Sequence, residues 1–387
     1  MMRLSSVGDV LLATPLVRVV RRTYPGALLR FLAKAPFAEL LAGNPHVDEV
    51  LTWPRASARR RRGERARERP GSQDAYAAPW SSDARRLAAG LRARRPFWLV
   101  DIQSTPRSAA FGSLLRPDRT FRWRKDYLRR FLLVHAKVDR YSRPISSVAE
   151  RYFAAVAPLE LRPDGGGLDL ILTEAERAQA DRLLAAVAEG RQEAADAGIG
   201  DESGGWLAVA PGARWATKRW PPESFAAAAR AIAAERSWKV VLLGSAEDAT
   251  AAGALGALLR AAGIHALDLS GRLELRESAA VLARSALLLT NDSGLMHAAA
   301  ALGVPSVAVF GSTVSQLGFV PYRARARVVE VDGLPCRPCT SFGRPACPLG
   351  HFKCMRELEP ESVVRAAREL LSANAVGAPA VEAEGDA

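Results

Sequence analysis

The chain has 387 residues, 49% of them hydrophobic, and a net charge of +13. That length and apolar content allow a large core and two domains of ordinary size, and exclude a disordered chain. No run of 18 apolar residues occurs and no secretory leader pattern opens the sequence, so the expectation is a cytoplasmic protein without a spanning helix. The charge is uneven: residues 1–160 hold 31 Lys plus Arg against 14 Asp plus Glu, and residues 161–387 hold 23 against 27, which gives +17 in front and −4 behind. Such asymmetry fits an anionic partner, whether nucleic acid, a membrane surface or a phosphorylated substrate, although a codon bias toward Arg contributes to it equally well.

In chain order, SSVGDVLLATP comes first. A glycine turn feeding a helix start normally follows a buried strand, yet only Met1 to Leu4 precede Ser5. Val10 to Arg22 alternate apolar and basic positions at helical spacing, with Pro15 near the first turn. LLRFLA reads as a strand, FAELLAG as a short helix ended by Gly43, and VDEVLTW as the next strand. RASARRRRGERARERPGS, from Arg55 to Ser72, packs eight Arg and two Glu into its first fifteen residues, and 55–82 reads as a solvated, flexible insertion. Without interleaved aromatics or a binding fold it is weak support for a nucleic-acid arm. ARRLAAGLRARR is helical, FWLVDIQ a buried strand, PRSAAFGSLL a helix and SVAERYFAAVAPL another, so the order is βαβα, which implies a parallel sheet covered on both faces.

LRPDGGGLDL is rich in turn residues and marks a hinge. Beyond it the pattern restarts: WLAVAPG, KVVLLGS, HALDLSG, ALLLTND and PSVAVFGS read as strands separated by helices, a second Rossmann-like domain. The expected domains are therefore 1–160 and 161–372, with a frayed tail over 373–387. Two such domains in series would place their ligand crevices at strand carboxyl ends, facing each other across a cleft that suits a two-substrate enzyme.

Three strand ends carry chemistry. In LLLTNDSGLMHAAAALG, Asn291 and Asp292 emerge at the edge of the sheet, and Ser293-Gly294 open a small-residue helix whose free N–H groups and dipole favour an anion. Asp292 is placed for sugar hydroxyls and His297 lies one turn on, but Asp292 or Ser293 is equally readable as a plain N-cap. APGARWATKRWPPESF brings Thr217 and Lys218 before a helix, a pair suited to a diphosphate; the spacing is not that of a Walker motif, and surface solvation is the alternative. LLGSAEDA places Glu247 for a ribose diol or, as plausibly, as a charge in a first helical turn.

Together SSVGDVLLATPLVRVVRRTYP, FAELLAGNPHVDEV, PGARWATKRWPPESFA with VLLGSAED, and TNDSGLMHAAAALGVPSVAVFGST resemble the bacterial ADP-heptose:lipopolysaccharide heptosyltransferases, glycosyltransferase family nine, from Met1 to about Leu371. The cysteine-bearing region is similar to the branch called heptosyltransferase II. The resemblance implies an α/β GT-B fold with an N-terminal acceptor domain and a C-terminal nucleotide-sugar domain, ADP-heptose as donor, and inversion without a catalytic metal. It implies Asp9 as the general base on the acceptor hydroxyl, Thr217, Lys218 and the helix from Ser293-Gly294 on the leaving diphosphate, Glu247 on the ribose and Asp292 on the heptose. The acceptor implied is a phosphorylated lipid A-core, met at the cytoplasmic face of the inner membrane, which would account for the basic front half; no nucleic-acid partner is then expected. Family members usually open with an apolar strand of about five residues, an ordinary strand length. Here MMRL stands in its place, so either the start lies too far downstream or the strand is short.

All four cysteines fall in LPCRPCTSFGRPACPLGHFKC, as Cys336, Cys339, Cys347 and Cys354, with His351 among them. The C-x2-C-x7-C-x6-C spacing permits a structural zinc, although the second half lacks a CxxC knuckle; reduced thiols, or a bridge formed on oxidation, are the other options. Two competing functions stay open: a related transferase with another sugar or acceptor, since pocket side chains decide this, and an inactive basic module that binds membrane or nucleic acid.

Overall fold

The computed structural model describes residues 1–55, 76–189 and 205–372. Most of the Arg-rich insertion and the 373–387 tail lie outside the described residues. The chain divides into two compact units, the first made of Met1–Lys125 with Ala149–Asp164, the second of Asp126–Val148 with Gly165 onward.

The first unit holds two strand pairs with the N-terminal segment between them. Strands β1 (Arg30–Lys34) and β2 (Glu49–Trp53) pair in parallel, as do β3 (Trp98–Asp101) and β4 (Arg119–Arg122). Met1 to Leu4 run between the two pairs: the Met2 N–H donates to Val100 O at 2.9 Å, Arg3 N–H to Leu32 O at 3.1 Å and Lys34 N–H to Leu4 O at 3.1 Å. These four residues thus run as the central strand of the unit, with Met2 and Leu4 buried and backbone hydrogen bonds to both flanking strands. They pack with Leu32, Trp53, Leu99 and Phe111 into one core. Trp53 meets Phe111 edge to face at 4.7 Å and its indole N–H donates to Ala77 O at 3.0 Å, so the described end of the insertion is tied to the core. From this central strand the chain builds β1 and β2 to one side, then β3 and β4 to the other, which opens a crevice beyond Leu4 and Asp101.

The second unit holds a six-stranded, all-parallel sheet. Its strands are β5 (Trp206–Ala210), β6 (Lys239–Leu242), β7 (Ala266–Asp268), β8 (Ser285–Asn291), β9 (Ser306–Phe310) and β10 (Ala326–Glu330), in the order β10-β9-β8-β5-β6-β7. The sequence reading found five of these. It passed over β10, an edge strand whose ARVVE mixes charge with its apolar residues, and in the first unit it passed over β4, RTFR, for the same reason. Leu207, Val209, Val240, Leu242, Leu287 and Leu289 are buried beneath flanking helices, the near-continuous apolar signature of a doubly covered parallel sheet. Strand order reverses between β5 and β8, so the second unit has its own crevice at the ends of these two strands.

Candidate active site

The crevice of the second unit is assembled by one buried amide. Asn291, fully buried at the end of β8, donates to Pro211 O at 2.8 Å and accepts from the Trp220 N–H at 3.1 Å. It therefore ties the loop after β5 to the segment that carries Lys218. The next residue, Asp292, is held in extended register by its N–H to Val309 O at 3.1 Å, and its carboxylate meets Lys218 Nζ at 2.5 Å and the Thr313 hydroxyl at 2.7 Å. Ser293 stands at the N-cap position of the Gly294–Leu302 helix without a side-chain capping bond, its hydroxyl 3.0 Å from that of Thr290. An ammonium, a carboxylate and the N-terminal N–H groups of a nine-residue helix thus converge at one strand end. The carboxylate can accept from sugar hydroxyls while the cation and the N–H groups face an anion.

The other sequence-selected residues fall around this centre. Thr217 is buried, and its hydroxyl accepts from the Arg344 N–H at 2.8 Å and the Ser312 hydroxyl at 3.0 Å. It anchors the segment before Lys218 to two loops of the sheet edge. Glu247 is exposed in the turn Ala246–Asp248 beyond β6. His297 is buried in the helix from Gly294. Sequence reasoning missed Asp248, whose carboxylate accepts from the Ser245 N–H at 3.0 Å and hydroxyl at 2.7 Å. That carboxylate fills the space beside Gly212, where an added Cβ would stand 2.1 Å from Asp248 Cγ, so a side chain in the PG turn after β5 would have to displace it. The signal was present in SAED, a Ser-x-x-Asp capping pattern.

Asp9 lies in the first unit, in the first turn of Val7–Leu11, at the rim where the N-terminal strand ends. Arg3 forms an ion pair with it, the Ser6 N–H and hydroxyl donate to its other oxygen at 3.0 and 2.9 Å, and Tyr152 Oη donates at 3.3 Å. Burial alone would raise the Asp9 pKa, but the Arg3 guanidinium and the Ser6 hydrogen bonds outweigh it and hold the carboxyl below the usual range. Arg3 is fixed in turn by donating to Ile102 O at 2.9 Å and by lying over the Tyr152 ring at 5.6 Å. The outcome is an ionised carboxylate at neutral pH, at a rim of the sheet, with a cation behind it.

The four cysteines are free thiols. Cys336, Cys339, Cys347 and Cys354 line a cavity of about 310 Å³ together with Lys137 and His351. Burial pushes the Cys354 thiol up to about 11 and raises that of Cys339. Among the described residues no group of three or more His, Cys, Asp or Glu side chains is arranged to hold a metal ion, so the structural-zinc option finds no support. The spacing places the thiols around one cavity without converging them on a point. Protein groups hold the loop instead: Lys137 Nζ donates to Cys336 O at 3.1 Å and Pro338 O at 2.6 Å, and the Arg337 guanidinium donates to Gly311 O at 2.6 Å and Thr313 O at 3.0 Å.

Two Rossmann-like units, each with polar side chains at the reversal of its strand order, form the architecture of the GT-B glycosyltransferases. A family 9 glycosyltransferase of Veillonella parvula superimposes with a TM-score of 0.72 at 22% identity, covering 96% of each chain. The Escherichia coli ADP-heptose lipopolysaccharide heptosyltransferase II superimposes at 0.64 and 23% identity, covering 97% of this chain and 98% of its own. In sequence, lipopolysaccharide heptosyltransferase 2 of Salmonella typhimurium is 28% identical over 330 residues, 84% of this chain and 86% of that protein. Lipopolysaccharide heptosyltransferase 1 of Pseudomonas aeruginosa is 28% identical over 345 residues, 88% of this chain and 85% of its own. The sequence profile of glycosyltransferase family 9 (heptosyltransferase) matches residues 85–348, well over half of the chain. The protein belongs to glycosyltransferase family 9, the heptosyltransferase family, and is a glycosyltransferase.

Proposed function

We propose that the protein transfers heptose, with inversion, from ADP-heptose to the inner core of lipopolysaccharide, in the manner of its heptosyltransferase 2 relatives. The observation that carries the reading is the Lys218–Asp292–Thr313 cluster at the mouth of the helix from Gly294, in a chain of this family. Lys218 and the N–H groups at Ser293 and Gly294 stabilise the diphosphate as it departs, where negative charge grows in the transition state. Asp292 accepts from heptose hydroxyls and Glu247 from the ribose diol. Thr217 acts one step back, fixing the segment on which Lys218 stands, and His297 packs beneath the cradle.

In the first unit Asp9 accepts the proton of the attacking hydroxyl. The acceptor oxygen bonds to the anomeric carbon as the bond to the diphosphate breaks, ADP leaves, and the proton stays on the carboxyl. The Arg3 ion pair keeps Asp9 ionised and aimed, at the cost of a lower basicity. The acceptor is a phosphorylated lipid, which brings the enzyme to an anionic membrane surface and gives the basic first 160 residues their purpose.

The test offers ADP-heptose, and separately UDP- and GDP-sugars, with core acceptors carrying no heptose or one. Transfer of heptose to either acceptor is expected. Transfer from another nucleotide sugar alone would replace the proposed donor, and salt-sensitive DNA binding without any transfer would replace the enzyme reading.

A further inference from the structure

Residues 126–148 contain an apolar face that the fold does not use. The helix Tyr127–Phe131 continues through Leu132–Ala136, and its inner side is spent on the second unit: Leu133 is buried with Val314 and Leu317, and Val134 is buried beside it. Its outer side carries Tyr127, Leu128 and Phe131. The cysteine loop adds Phe342 and Leu349, and all five of these large side chains are more than half exposed. They form one surface, because the Arg130 guanidinium lies over the Phe342 ring at 5.2 Å while Leu349 lines the same cavity as Val134 and His135. Five large apolar side chains gathered on a surface need a partner, since single exposed ones are ordinary but a contiguous set is not.

The charge around the face selects among partners. Residues 126–143 carry Arg129, Arg130, Lys137, Arg140 and Arg143 against Asp126 and Asp139. A second copy of the chain would bring this cationic rim against itself, whereas an anionic bilayer surface complements it. Tyr and Phe at the level of the headgroups, Leu deeper and Arg on the rim is the chemistry of an interfacial contact. No helix among the described residues is long and apolar enough to cross a membrane, so this contact is peripheral.

We infer that Tyr127, Leu128, Phe131, Phe342 and Leu349, ringed by Arg129 and Arg130, form the surface by which the protein seats on anionic lipid. The inference rests on the lipid-acceptor reading above and specifies where the enzyme meets its membrane.

Flotation of the full chain with vesicles tests it, using 3:1 phosphatidylethanolamine to phosphatidylglycerol against pure phosphatidylcholine, with neither nucleotide sugar nor acceptor present. The wild type is expected to float with the anionic vesicles, and both L128D/F131D and R129E/R130E to lose about tenfold or more of that binding, in proportion to the apolar and cationic groups removed. Leu128, Arg129 and Phe131 are exposed and Arg130 is half-buried, so an unchanged thermal midpoint and unchanged ADP binding are required of both variants to show that they fold. Variants that float like the wild type, or a wild type that ignores anionic vesicles, overturn the inference. So does a wild-type dimer that L128D/F131D turns into a monomer, since the face would then be a contact between copies. A chain that binds vesicles but transfers no heptose defeats the functional reading alone. One that transfers heptose to a detergent-dispersed core yet never floats defeats only the membrane surface.

Discussion

Replacing Arg3 by methionine removes the cation behind Asp9 and over the Tyr152 ring while keeping most of the apolar stem. Both partners are largely shielded from water, with side-chain exposures of 8% for Arg3 and 15% for Asp9. Breaking a buried pair by removing one partner costs about 3–5 kcal/mol. The three hydrogen bonds from Ser6 and Tyr152 survive, which places the expected loss near the low end, about 3 kcal/mol at pH 7. For a domain of this size that is a fall of roughly 10 °C in the first unit's melting transition. The pH dependence fixes the sign. The folded pKa of Asp9 in the wild type lies below that of a free carboxyl, so its pairing contributes stability above pH about 4 that is lost as pH falls through the folded value. In Arg3→Met burial acts without the cation and the folded pKa rises, so the penalty is full at pH 7 and shrinks as the pH is lowered and Asp9 takes up a proton. The acid limb of kcat/KM moves upward in pH in the same variant, because the general base must be ionised. Calorimetry at pH 7.5, 6 and 5, with pH–rate profiles, is the assay. A melting temperature at pH 7.5 within 2 °C of wild type, or a penalty that grows toward acid, would refute the clamp.

Asn291→Leu leaves the Trp220 N–H and Pro211 carbonyl without their partner, and is expected to cost about 2–4 kcal/mol by denaturant unfolding and to weaken ADP binding with it. Gly212→Ala must displace the Asp248 carboxylate, costing about 1–3 kcal/mol; the double change Gly212→Ala with Asp248→Ala should recover part of this in a double-mutant cycle. Glu247→Ala, at an exposed position, should leave stability unchanged and raise KM for the donor by about tenfold with little change in kcat, as loss of a hydrogen bond made equally in ground and transition states requires.

Much of the second unit was legible because its strands are long apolar runs closed by polar residues. Asn291 and Asp292 were visible as strand-end residues from LLLTND, and Lys218 from WLAVAPG and the Pro-opened helix that follows it. Their pairing was not, since Lys218 and Asp292 are separated by a helix, two strands and more, and only the sheet order β8-β5 makes them neighbours. Thr217 shows what the sequence could not supply: its hydroxyl accepts from the Arg344 N–H and the Ser312 hydroxyl, contacts that only the tertiary fold brings about. Arg3 carried a signal in retrospect, a lone cation inside MMRL, the segment that had to be the central strand. The zinc option drew on spacing alone, and spacing along a chain states which thiols are near one another and not whether they point at a common centre.

The most direct test of the account compares Asp9→Asn and Lys218→Met with the wild type in single-turnover heptose transfer, alongside equilibrium ADP binding. The account predicts that Asp9→Asn slows transfer by about 10²–10⁴ and leaves ADP affinity unchanged. Lys218→Met should weaken ADP binding as well as slowing transfer by about 10²–10³. Transfer at near wild-type rate in Asp9→Asn, or ADP affinity unaltered in Lys218→Met, would contradict it.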